Sequence, residues 1–117
     1  MITEDYVSFE TAKLLKEKGF DECTISSYDK NGGLKDMLRP FLESEGDVRR
    51  PTLQMAMKWL REVHHLLITP FSSSQESWMF RITKPRQRLE DGVYGEDYET
   101  REQACEAAIK YCLENLI

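Results

Sequence analysis

"PTLQMAMKWLREVHH", residues 51–65, is the stretch that decides the fold. Pro51 or Thr52 can open a helix, and apolar residues then recur at helical spacing to about His65. At about 100° per residue, Leu53, Ala56, Met57, Leu60, Val63 and His64 fall on one side of the axis. Met55, Trp59 and Leu66 widen that side to roughly 200° of arc, and Gln54, Lys58, Arg61, Glu62 and His65 fill the remainder. A helix with so broad an apolar surface needs cover from more than one direction.

The segments on either side supply that cover. Before the helix, "CTISSYDKNGG" alternates Cys23, Ile25 and Ser27 with Thr24, Ser26 and Tyr28, and its Asn31–Gly32 pair tolerates positive φ. It reads as a hairpin. Its return strand competes with a helical spacing of Leu34, Leu38 and Phe41–Leu42, which Pro40 interrupts. "ESEGDVRR" reads as a loop. After the helix, "LLITPF", the polar "SSSQES" and "WMFRITKP" read as a second hairpin with a longer connection. There Trp78, Phe80 and Ile82 alternate with Met79, Arg81 and Thr83. "KPRQRLEDGVYGEDYE" reads as irregular, with a short strand near Leu89.

Two more helices close the chain at its ends. The first runs from about Ser8, an N-cap, to Lys18. Gly19 suits a left-handed stop and Phe20 folds back toward Leu15, as in a Schellman ending. The last begins at Thr100, where "TREQ" has the capping-box form with Gln103 reaching back. Its apolar face is Cys105, Ala108, Ile109, Cys112, Leu113 and Leu116. The order is α-β-β-α-β-β-α. The expectation is a single α+β domain over residues 1–117, with an antiparallel sheet from two hairpins packed with three helices.

Composition narrows function by exclusion. The chain has 117 residues, a hydrophobic fraction of 40%, a charged fraction of 32% and a net charge of −5. That is a globular balance, and its sign disfavours non-specific nucleic-acid binding. No apolar run is long enough to span a membrane, and "MITEDYVSFE" lacks the form of a signal peptide. With an odd three cysteines and no disulfide framework, the expected location is the cytoplasm.

No catalytic constellation, cofactor motif or metal-ligand spacing stands out. His64 and His65 diverge by about 100° on the helix, whereas paired helical ligands sit at i and i+4. The plain reading is a histidine pair near the negative end of a helix. Cys105 and Cys112 lie two turns apart, about 10.5 Å between Cα atoms, too far for a disulfide; they read as core thiols. No Walker loop, G-x-G-x-x-G, G-x-S-x-G or H-E-x-x-H is present.

Three blocks carry a resemblance. "RRPTLQMAMKWLREVHH" (49–65), "ETREQACEAAIKYCLENLI" (99–117) and "YVSFETAKLLKEKGFD" (6–21) resemble, in the same order, a family of small proteins encoded by gut-bacterial genomes and their phages and prophages. The family has no assigned function. The resemblance implies a mobile-element setting inside the cell and no mechanism.

The expected function is therefore a non-enzymatic protein–protein interaction or accessory protein of a mobile element, binding an unknown protein or itself. Met55 and Trp59, at the edge of the apolar arc, are the candidate interface, since Trp and Met are enriched at such surfaces. The alternative is a nucleic-acid-associated protein using Arg49, Arg50, Lys84, Arg86 and Arg88. Against it stands the acid-rich "EDGVYGEDYETRE" that follows the last three.

Overall fold

Ser8 and Gly19 bound the first helix. In the computed structural model, which describes residues 4–22, 24–36, 46–72, 77–84 and 92–117, α1 spans Phe9–Glu17. The Ser8 hydroxyl accepts from the Thr11 N–H. At the other end the Phe20 N–H donates to Leu15 O (2.9 Å) and the Gly19 N–H to Lys16 O (3.2 Å), with Gly19 at φ +95°. These two bonds are the Schellman pair, and only a residue without Cβ adopts that φ cheaply.

The first hairpin joins β1 (Ser26–Tyr28) to β2 (Leu34–Asp36). Asp29 organises its turn. Oδ1 accepts from the Asn31 and Gly33 N–H groups at 2.8 and 2.9 Å, and Gly32 holds φ +88°. β3 (Val48–Arg49) pairs antiparallel with the other edge of β1, giving the order β2-β1-β3. Ser26, Ser27 and Tyr28 are all buried, because β1 is the middle strand and is covered on both faces. The alternation in "CTISSY" therefore does not become an inside and an outside. Ile25 is instead 75% exposed.

The chain entering α1 is tied to the start of the second helix. Tyr6 bridges Thr52, the Val7 N–H donates to Pro51 O, and the Leu53 N–H donates to Asp5 O. α2 spans Leu53–His64, and the Thr52 hydroxyl accepts from the Met55 N–H as its cap. It ends with His65 in the left-handed region (φ 58°, ψ 37°) and the Leu66 N–H donating to Leu60 O at 3.1 Å.

The second hairpin pairs β4 (Leu67–Ser72) with β5 (Trp78–Thr83), register Leu67 to Thr83 through Ser72 to Trp78. β6 (Val93–Tyr98) adds to the far side of β5, giving the order β4-β5-β6. The register slips between Trp78 and Phe80, where Asp97 takes φ 68°; β6 thus carries a bulge. Phe80 lies opposite Gly95, and a Cβ placed there would fall 2.1 Å from Phe80 Cε2.

α3 (Arg101–Tyr111) starts at Thr100, whose hydroxyl accepts from the Gln103 N–H. Gln103 Oε1 accepts from the Glu99 N–H, one residue earlier than the capping box expected. The helix widens into a π-helical segment, Cys112–Leu116. α3 packs on β4, β5 and β6 and also against α1 and α2, so it is the common wall of the core. Ala104, Cys105, Ala108, Ile109, Cys112 and Leu113 are all fully buried there.

The α+β class, the three helices and their order relative to the hairpins are as the sequence predicts. The hairpins lie in separate sheets, and each gains a third strand. β3 forms in "ESEGDVRR", read as a loop, and β6 in the segment read as irregular. The expectations for Cys23, for residues 37–45, for the "SSSQES" connection and for a strand near Leu89 lie outside the described residues. Among the described residues, no helix is long and apolar enough to cross a membrane.

Candidate functional site

α2 is apolar around more of its circumference than its neighbours cover. Leu53, Ala56, Met57 and Leu60 are buried against the sheet and α3. Trp59 is buried too, at 7% exposure. Its indole meets the Phe20 ring edge to face at 5.4 Å between centroids, and the His64 ring at 4.8 Å. Trp59, one of the two candidate interface residues, is thus part of the core: the residue that closes α1 also closes over it. What remains outside is Met55, 40% exposed, and Val63, 52% exposed. Val63 was expected on the covered side.

These residues frame an open recess of about 440 Å³, lined by Met55, Lys58, Trp59, Glu62, Val63 and, from beyond α1, Glu22. Its walls are apolar and its rim carries both signs of charge. Arg61, outside that lining, lies 4.0 Å from its neighbour Glu62. The recess offers apolar contact with a tunable charged border, the anatomy of an interface patch.

The two histidines have separate structural duties. His64 packs on Trp59 with Nε2 buried and without a hydrogen-bond partner among the described residues. His65 is exposed and turns the chain out of the helix in a left-handed conformation that histidine adopts more readily than most residues. Among the described residues, no group of three or more His, Cys, Asp or Glu is placed to hold a metal ion.

Among the described residues, the basic side chains of the alternative sit in different settings. Arg50 is committed internally. Its Nη1 donates to Ser26 Oγ (3.0 Å), its Nε to Tyr28 Oη (3.3 Å), and its guanidinium lies over the Tyr6 ring at 4.0 Å. Arg49 is half-buried in β3, opposite Ser27. Lys84 is exposed after β5, in the other sheet. Arg86 and Arg88 lie outside the described residues.

One residue escaped sequence reasoning altogether. Glu106 of α3 places Oε1 at the N-terminus of α1, where it accepts from the Ser8 N–H (3.0 Å), Ser8 Oγ (2.6 Å) and Thr11 Oγ1 (2.6 Å). A carboxylate there answers the positive end of α1. Nothing local marks it, because the partners are almost a chain length away. Beside it runs a groove of about 510 Å³ lined by Tyr6, Tyr28, Tyr98, Asp5 and Glu102 among others. Cys105 and Cys112 are buried free thiols. Burial raises both above the ordinary range, Cys112 to about 12, which leaves neither with thiolate character at neutral pH.

No protein-family model, curated protein or solved structure matches the chain.

Proposed function

We propose that this chain is a non-enzymatic interaction protein of a mobile element, which binds another protein or a second copy of itself through the outer face of α2. The observation that carries the reading is the Met55–Val63 recess: two exposed apolar side chains one helical turn to either side of a buried tryptophan, bordered by Lys58, Glu62 and Glu22. Exposed apolar surface with a polar border favours association, because covering it releases water from apolar groups. The mobile-element setting is supported by the resemblance of the three sequence blocks.

The test is site-specific photo-crosslinking in the host cell. A photoreactive phenylalanine at position 55 or 63 should give a discrete covalent adduct. The same group at Tyr94, which is 51% exposed on β6, should not. Equal adducts at all three positions, or none at 55 and 63, would refute the reading.

A further inference from the structure

The turn between β1 and β2 holds a reactive pair of residues and, beside it, the groups that restrain them. We propose that Asn31–Gly32 is a site of spontaneous deamidation, and that Asp29 and Phe9 slow the reaction by holding the Gly32 nitrogen away from the Asn31 side chain.

The chemistry needs only the chain and water. The Gly32 amide nitrogen gives its proton to water or hydroxide and attacks Asn31 Cγ. The N–Cγ bond forms, the Cγ–Nδ2 bond breaks, and Nδ2 takes up a proton and leaves as ammonia. The product is a cyclic succinimide. Water then adds at either of its carbonyl carbons and opens the ring, leaving an aspartate or an isoaspartate at position 31. Glycine impedes this attack least, having no Cβ to crowd the closing ring. The chain has two asparagines, and only Asn31 precedes a glycine. It is also exposed, so water and base reach it. Asn115 precedes Leu116 and lies in the π-helical segment, where its Nδ2 donates to Tyr111 O (3.3 Å).

The fold opposes the attack from two directions. The Gly32 N–H donates to Asp29 O at 3.0 Å, so the attacking nitrogen is already engaged. The N–H groups of Asn31 and Gly33, on either side of it, donate to Asp29 Oδ1 at 2.8 and 2.9 Å. These bonds fix the peptide that must rotate to bring nitrogen and Cγ together. From α1, the Phe9 ring closes over the turn: a Cβ on Gly32 would meet Phe9 Cδ2 at 3.0 Å. Reaction therefore requires the turn to open locally, and its rate follows the open fraction. The step runs one way once ammonia has left. Isoaspartate lengthens the main chain between residues 31 and 32, so the bonds to Asp29 lose their register. Aspartate keeps the main chain but adds a second carboxylate beside Asp29, which repels it.

The experiment is peptide mapping by mass spectrometry of the full-length protein, incubated at mildly alkaline pH with and without urea. Asn31 should convert under both conditions, clearly faster in urea, while Asn115 stays intact over the same period. Asp29→Ala should speed conversion of the native protein about threefold to tenfold, the factor that corresponds to the net worth of a hydrogen bond. Asp29→Asn, which keeps an Oδ1 acceptor, should stay near the wild-type rate. Thermal melts report whether each variant is folded. Where Asp29→Ala is not, Phe9→Leu takes its place, since it leaves the Asp29 bonds and removes the ring from the turn; it too should speed the native reaction. Conversion at Asn31 no faster than at Asn115 overturns the site. Equal wild-type rates with and without urea, or a folded Asp29→Ala or Phe9→Leu no faster than wild type, overturns the restraint.

Discussion

The Phe80 ring fills the space that a side chain at position 95 would take. Across the pairing of β5 with β6, a Cβ on Gly95 would come within 2.1 Å of Phe80 Cε2 and 2.4 Å of Cζ. The glycine gives up its own side-chain contacts, and the neighbouring ring covers the gap. β6 therefore depends on a partner residue for its packing.

Gly95→Ala should cost about 1–3 kcal/mol, because Phe80, itself 4% exposed, must leave its position in a filled core. Urea melts measure the loss. In a Phe80→Leu background the same change should cost clearly less, and the difference is the coupling energy of the pair. Equal costs in both backgrounds would mean that the ring is not what forbids the side chain.

Trp59→Ala should destabilise by about 3–5 kcal/mol, since the indole is buried between Phe20 and His64. Met55→Ser, at a position 40% exposed, should stay within about 0.5 kcal/mol. Thermal melts of the two variants separate core from rim. A mild Trp59→Ala would show that the Phe20 cover is dispensable.

Cys105 and Cys112 should label slowly with a thiol reagent in the native protein and fast in denaturant, both being fully buried. The pH dependence has a defined sign. Folding raises the Cys112 thiol from 9.0 to about 12, so its contribution is complete below pH 9 and is lost as pH rises toward 12. Across that window the unfolded chain releases the proton and the folded chain keeps it. Stability should fall with a steeper slope in the wild type than in Cys112→Ala. Parallel slopes would place the thiol in contact with water.

Glu106→Ala should cost about 1.5–3 kcal/mol, leaving the Ser8 and Thr11 donors without their shared acceptor. Glu106→Gln, which keeps an acceptor but loses the charge, should lie between the two. Chemical denaturation of the three proteins gives the order. Equal stability of Glu106→Ala and wild type would make the joint ornamental.

What could be read from the sequence was local. Ser8, Thr52 and Thr100 each cap the helix they precede, and Gly19 ends α1, because these signals act within a few residues. The hidden parts depend on distant residues. β6 reads as irregular because Gly95 lacks a side chain of its own; Phe80, on another strand, supplies the missing bulk. β3 has only two residues and forms because β1 has a free edge. The candidate surface was half legible. The helical wheel brought Met55 and Trp59 to one border, but could not show that Phe20 reaches over to bury the indole. Arg50 looked like a free cation because its Tyr6 and Ser26 contacts lie far off in the chain.

The Glu106 joint also sets an order of events. Ser8 and Glu106 are 98 residues apart, Lys110 meets Glu10 at 3.0 Å, and Lys18 Nζ donates to the backbone oxygen of Ile117. On the ribosome α1 emerges well before the group that completes its first turn. A nascent chain that stops short of α3 leaves that helix end open and the wall of the core missing. Stable structure then has to wait for α3 to emerge, and folding proceeds at the pace of closing the loop of 98 residues between Ser8 and Glu106.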